Sequence, residues 1–355
     1  MAATDTVMVV GAGPAGLEAA RSVAGLGRRV LLVEARQSLG GTPYAHYATL
    51  TPDLRDTGEA MREIMDEVSG HSSIDVRLGS TLVASDGSAG DFHVSLRAAD
   101  GTVTTEEVGS IILATGFQHF DPGRATQIYG YYEYQDVITL VDAERMFKEG
   151  KVVRPSSGTP PERVAFIQCV GSRDRQVGNL YCSKVCCGVA SKQAIEIKEL
   201  LPSAKVFIFY IDMRTYGFWE DQLYWRAQEE YKVNYIRGVV TEVIRKGDRL
   251  LVKGEDTTFG KPLELEMDLV ILSVGMEPSR GTLAAARTLG LPLEDHGFVA
   301  TVGGPLDAVS TAVRGIFVAG TAAGPHDLEE SVSMGGAAAV KAVTLLNRLQ
   351  QPAAR

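Results

Sequence analysis

The chain has 355 residues, 45% of them hydrophobic and 22% charged. A globular chain of that length exceeds one hydrophobic core, so two domains are expected. The formal net charge of −9 argues against non-specific binding to nucleic acid or to an anionic membrane. No apolar run approaches the ~20 residues that a spanning helix needs. The N-terminus lacks a basic segment followed by an apolar one, so the expected location is cytoplasmic.

In chain order, the segment "TVMVVGAGPAGLEAARSVAGLGRRVLLVEA" opens with an apolar strand at residues 6–10. A glycine-rich turn, a helix to about Leu26 and a second apolar strand follow, which makes a βαβ unit. Residues 53–70 read as a helix. Short strands separated by Asp86-Gly87 and Asp100-Gly101 turns lead to an apolar strand at Ser110–Ala114. Residues 153–163, "VRPSSGTPPER", read as a linker. "RVAFIQCVGSRD", the helical stretch "SKVCCGVASKQAIEIKELL" and the strand "KVFIFYIDMR" repeat the βαβ theme. "FWEDQLYWRAQEEY" reads as a helix, residues 232–256 as β-rich and "MDLVILSVGMEP" as a buried strand. A strand, loop and helix close the chain. This alternation predicts an α/β fold with two Rossmann-like dinucleotide-binding domains. The first comprises residues 1–117 plus 277–355, and the second residues 118–276.

Gly11-Ala12-Gly13-Pro14-Ala15-Gly16 follows a strand, opens a helix, and has Glu34 about 20 residues on. Gly11 allows the tight turn, Gly13 lets backbone approach a pyrophosphate, and Gly16 lets helix and strand pack closely. The helix N-terminus favours phosphate. Glu34, followed by Ala35 and Arg36, is suited to ribose hydroxyls and would repel a 2′-phosphate. "ILATG" (Ala114, Thr115 and Gly116 among them) and "GIFVAGT" (ending Gly320-Thr321) resemble cofactor-flanking motifs of two-dinucleotide-binding-domain flavoproteins, such as thioredoxin reductase. That resemblance implies FAD. It also implies a helix starting near Ser331 and Val332 that points at the flavin ring, and adenine contacts from the backbone of Val83. Gly41 and Thr42 would lie along the cofactor. Thr321 stands where the family usually has Asp.

The second domain departs from this pattern. Its equivalent turn is Cys169-Val170-Gly171-Ser172-Arg173-Asp174, with a single glycine. Nicotinamide dinucleotide is therefore not expected there in the standard way. All four cysteines of the chain fall at or after this turn, spaced C-x12-C-x3-C-C. A C-x-x-C redox disulfide is absent from the sequence. Zinc uses paired C-x2-4-C knuckles, and one such pair exists. An iron–sulfur cubane takes four thiolates, and adjacent cysteines can reach different irons. Cys182 and Cys186 would share a helix face, with Cys187 ~100° further round. Convergence is easier if Cys182 precedes the helix, Cys186 and Cys187 occupy its first turn, and Cys169 arrives from the strand end. The spacing favours a cubane and leaves zinc and a disulfide open.

The stretches "CVGSRD", "YCSKVCC", "SKQAIEIKE", "FYIDMRTYG", "RAQEE" and "YGYYEYQDVIT" closely resemble the A subunit of heterodisulfide reductase, in particular the short form of heterodisulfide-reductase-like complexes in sulfur-oxidising prokaryotes. The resemblance implies a [4Fe-4S] cluster on Cys169, Cys182, Cys186 and Cys187, and it places Lys192 near flavin N5. It further implies a homodimer and partners resembling the B and C subunits of heterodisulfide reductase, together with a lipoate-binding protein. The expected function is an electron-transfer oxidoreductase subunit working between FAD and cluster without bifurcation. Two other readings are a stand-alone NAD(P)H-dependent flavin reductase of disulfides or persulfides, with Cys186 or Cys187 as nucleophile, and a non-catalytic scaffold.

Overall fold

The computed structural model describes residues 4–124 and 128–351. They divide into two compact units. One takes in Met1–Ala45, Gly58–Gln118 and Glu277–Arg355, as far as these are described, and the other His46–Thr57 and His119–Met276. Residues 46–57, expected in the first unit, thus pack with the second.

The first unit is built on a parallel sheet in the order Ile316–Val318, Ser110–Leu113, Thr6–Val10, Arg29–Val33, Ile74–Arg77. Its central strands are apolar throughout because both faces are covered. Val7, Val9, Val30, Leu32 and Ile112 pack in one core with the helices Pro14–Gly25 and Leu328–Gln350. Met8, Val10, Leu31, Val33, Ile111 and Leu113 point the other way. There they meet Leu82, Phe92, Val94 and Leu96 of the antiparallel sheet Ser80–Ser88, Asp91–Ala98, Val103–Val108. A helix that the sequence pattern does not announce, Arg280–Thr288, buries Ala285 and Ala286 on that face.

The second unit has a seven-stranded sheet. Its order is Lys261–Met267, Arg249–Asp256, Asn234–Lys246, Lys205–Tyr210, Arg163–Val170, Leu269–Val274, Val137–Thr139. The last five strands run parallel, and the first three form an antiparallel meander. The helix Cys186–Leu200 connects Arg163–Val170 to Lys205–Tyr210, so the expected second βαβ unit is present.

Two local expectations need correction. The helix expected at 53–70 spans Thr57–Gly70, because Thr49 and Asp56 form a β-bridge ahead of it. The expected linker 153–163 is packed inside the second unit: the buried Asp136 carboxylate accepts from Ser156 N at 2.9 Å and Arg154 Nη2 at 3.1 Å. The aromatic helix expected at 218–231 is present over residues 218–229, with a π-register stretch at Glu220–Trp225. The helix Leu140–Lys148 is an addition to the expected elements, although Thr139 and Asp142 form a capping box that marks its start.

Candidate functional site

In an open parallel sheet, ligands bind outside the carboxyl ends of the strands where the strand order reverses. In the first unit that point lies between Thr6–Val10 and Ser110–Leu113, which end at Gly11 and at Ala114-Thr115-Gly116. Gly11 has φ +102°, and a Cβ there would lie 2.4 Å from Ala114 O. A Cβ on Gly16 would lie 1.8 Å from Gly11 O. These two glycines are required by the turn itself. At Gly13 a Cβ would touch only Gly41 Cα at 3.7 Å, so the space beside it is open. Gly41 (φ +62°) approaches so closely that its own Cβ would be 2.6 Å from Gly13 Cα. Thr42 follows in a short helix, Gly41–His46. The helix Pro14–Gly25 has Pro14 in its first turn and no side-chain cap on Gly13. The Ala15 and Gly16 amides are thereby left for an anion.

The buried Glu34 carboxylate accepts from Ala12 N (2.7 Å) and Arg36 N (2.8 Å), which fixes the end of its strand to the glycine turn. A carboxylate has about four acceptor sites, so lone pairs remain for ribose hydroxyls. Ala35 and Arg36 are exposed. Val83 is the extra residue of a bulge, because Leu82 pairs with Leu96 and Ala84 with Ser95. Its backbone is outside the ladder, as an adenine contact requires. Thr115 Oγ1 meets Thr282 Oγ1 at 2.7 Å, and Thr282 Oγ1 donates to Gly116 O at 2.8 Å. A Cβ on Gly116 would sit 3.7 Å from Thr321 Oγ1. Gly320 (φ +62°) packs against Ala15 and Ser331. The last helix starts at Leu328 rather than near Ser331. Asp327 caps it, accepting from Glu330 N at 2.8 Å, so Ser331 is buried within the first turns and Val332 is half-buried beside it.

In the second unit, the order reverses between Arg163–Val170 and Leu269–Val274, and the cysteines lie at this point. The pairing register shifts between Ile167 and Val170. Cys169 sits in that irregularity with φ +63°, which turns its side chain out of the strand's alternation. Cys186 and Cys187 are the first two residues of their helix, and Cys182 precedes it in the loop. In all six pairings the four thiols are close enough for the charge of one to act on another. Among the described residues, no group of three or more His, Cys, Asp or Glu is arranged to hold a single ion. Burial pushes the Cys169 thiol up, and more strongly the Cys186 thiol. Cys187 is raised to about 12, mainly by burial and against the Arg214 backbone N–H. Arg173 and Arg214 favour the Cys169 thiolate. No spacing rule in the sequence singles out these two cations.

Protein side chains pack closely against this turn. A Cβ on Gly171 would lie 2.1 Å from the ring of the buried Phe120, so that glycine serves packing. Ser172 and Ser183, hydrogen-bonded to each other, are buried beside Gly275.

Lys192 is fully buried, not solvated. Its ammonium donates to Glu144 Oε1 (2.6 Å) and Thr49 O (3.0 Å) and lies 3.6 Å from Glu196 Oε2. Glu144 also accepts from Ala48 N and Gln193 Nε2, and Thr49 Oγ1 donates to Glu196 at 2.7 Å. Residues 46–57 are thus held against the cysteine helix. They bring Tyr47, whose hydroxyl is 3.2 Å from His119 Nε2, into electrostatic range of Cys186. Burial, and then His46, lowers the pKa of His119 to about 3. Nothing local in the sequence links Tyr47 to His119, which is 72 positions away.

Residues 5–167 match the pyridine nucleotide-disulphide oxidoreductase family. The chain is 42% identical over 242 residues to the A subunit of the H2:CoB-CoM heterodisulfide,ferredoxin reductase of Methanothermobacter marburgensis, covering 66% of this chain and 37% of that protein. It is 33% identical over 425 aligned positions to an iron–sulfur A subunit, the second of its kind, of the CoB–CoM heterodisulfide reductase of Methanopyrus kandleri, covering 97% and 64%. The chain therefore spans about one to two thirds of the length of these relatives. In fold it is similar to thioredoxin reductase of Lactococcus lactis, with a TM-score of 0.66, 19% identity, and coverage of 97% of this chain and 100% of that one. That of T. acidophilum gives 0.63 at 19% identity, covering 96% and 98%.

Proposed function

We propose that this chain, which belongs to the family of heterodisulfide reductase A subunits and has a thioredoxin-reductase-like fold, is a flavin and iron–sulfur electron-transfer subunit. In this reading FAD lies on Gly11, Gly13, Pro14, Ala15, Gly16, Glu34, Val83, Ala114–Gly116 and Gly320–Thr321. The cluster lies on Cys169, Cys182, Cys186 and Cys187; Lys192, whose buried ammonium is taken up by Glu144 and Thr49, serves to hold residues 46–57 against the cysteine helix. Bound FAD supplies two-electron exchange and a [4Fe-4S] cluster one-electron exchange. The chain's part is to hold the first in the cradle beside Gly13 and the second on four thiols.

The observation that carries the reading is the gathering of all four cysteines at the switch point of the second sheet. A cubane gives each thiolate its own iron, which suits thiols that share a region without converging on one ion. Two nearby guanidiniums suit its negative charge. The reading extends to work without bifurcation in sulfur oxidation, to partners resembling the B and C subunits and a lipoate-binding protein, and to a homodimer in the cytoplasm.

Protein purified without oxygen is expected to contain FAD together with iron and acid-labile sulfide in near-equal amounts. Cys→Ser at any of the four positions should remove most of the iron. Zinc, or no metal at all, would end the cluster reading. The family match at residues 5–167 favours a second reading, a stand-alone disulfide or persulfide reductase. Burial weakens it, because Cys186 and Cys187 are poor thiolates without a metal.

A further inference from the structure

We propose that Arg173 sets the reduction potential of the cluster by presenting its buried Nη1 donor and its charge to the Cys169 side of the site, an inference that rests on the cluster reading above. Arg173 lies in the loop that replaces the second glycine motif and has φ +56°. That backbone region favours glycine and costs other residues roughly 1 kcal/mol or more.

The loop holds it firmly. Arg173 N donates to Tyr181 O at 2.9 Å, Asp174 and Asn179 form a β-bridge, and Asn179 Nδ2 donates to Gly171 O at 2.9 Å. One nitrogen of the guanidinium, Nη2, is taken by Asp212 Oδ2 at 2.8 Å. The other, Nη1, is buried and has no hydrogen-bond partner among the described residues. An unpaired buried charged donor is costly, and the Asp212 pair, half exposed, stabilises little by itself. Ser172 N donates to Cys169 O at 3.1 Å, so Arg173 follows directly on the turn that carries Cys169, and Asp212, which holds Nη2, accepts from Cys187 Sγ at 3.7 Å through its backbone carbonyl. A sulfur carrying cluster charge is the acceptor that this donor lacks. A fixed cation beside it stabilises the more negative, reduced state and so raises the potential.

The test is a redox titration of anaerobically purified full-length protein, followed by the cluster's spectroscopic signal after iron and sulfide are quantified. Arg173→Gln with full iron content should raise the oxidised-to-reduced ratio about tenfold at the wild-type midpoint, a shift of about 59 mV for one electron. Arg173→Lys, which keeps the charge, should stay within about threefold of wild type. If Arg173→Gln does not assemble, Asp212→Asn, which removes the offsetting carboxylate, should move the ratio the other way. An iron-replete Arg173→Gln at the wild-type potential overturns the inference, as does a Lys variant that shifts as far as Gln. So does an unshifted Asp212→Asn where the Gln variant fails. Wild-type protein without iron would instead overturn the cluster reading beneath it.

Discussion

Gly11 and Gly13 stand two residues apart under different constraints. Gly11 needs its left-handed backbone, and a side chain would strike Ala114 O at 2.4 Å. Gly11→Ala should therefore lower stability by at least ~2 kcal/mol, through strain and a backbone clash, as thermal or denaturant unfolding of the flavin-free protein would show. Gly13→Ala meets only Gly41 Cα at 3.7 Å. It should leave flavin-free stability within about 0.5 kcal/mol while lowering flavin occupancy in the purified protein. Equal losses in both assays for both variants would contradict this division. His119 gives a pH signature. Its folded pKa is about 3, lowered chiefly by burial from an ordinary value of 6.5. Between those values the unfolded chain binds a proton that the native chain does not, so stability falls as pH drops from about 6.5 toward 3. Denaturant midpoints for His119→Gln should decline less between about pH 7 and about pH 4.5 than those of wild type; parallel declines would exclude His119 as a source.

Between elements, the Lys192–Glu144 pair joins the helix Cys186–Leu200 to the helix Leu140–Lys148, with both side chains fully buried. Removing one member leaves a buried charge without its partner, which costs about 3–5 kcal/mol. Lys192→Met should lose that much in chemical denaturation. Lys192→Met combined with Glu144→Gln should recover at least half, because the neutral amide keeps an acceptor for Ala48 N. A fully additive double variant would show that the charge pairing is not the cause. The same cluster fixes the segment carrying Tyr47, so proteolysis between residues 46 and 57 is expected to quicken in the single variant.

For the molecule as a whole, the two sheets share an architecture and differ at their switch points. One leaves open space at Gly13, while the other fills the corresponding turn with Phe120, Ser172 and Ser183. NADH or NADPH alone is accordingly expected to leave the flavin oxidised over minutes when absorbance is followed under anaerobic conditions. Bleaching within seconds would favour the stand-alone reductase. No helix among the described residues is long and apolar enough to cross a membrane.

The sequence by itself determined the features that depend on neighbours along the chain: both βαβ units and the glycine turn ending at Gly16, whereas the start of the cysteine helix at Cys186, three residues after the expected Ser183, came from the structure. The units and the glycine turn follow from apolar runs and from turn chemistry. Capping boxes at Thr139 and Asp327 mark two further helix starts, although the helix after Thr139 is absent from the expected elements and the last helix is expected to begin near Ser331. Only the tertiary structure decided that residues 46–57 pack in the second unit, that Lys192 is buried between carboxylates, and that Phe120 fills the turn at Gly171. Nor does the pattern show that Arg173 keeps a buried Nη1 with no hydrogen-bond partner among the described residues. Each of these joins residues distant in sequence or lacking any periodic signal. Burial of a charged side chain depends on the partners that folding brings to it, and no local pattern specifies those partners.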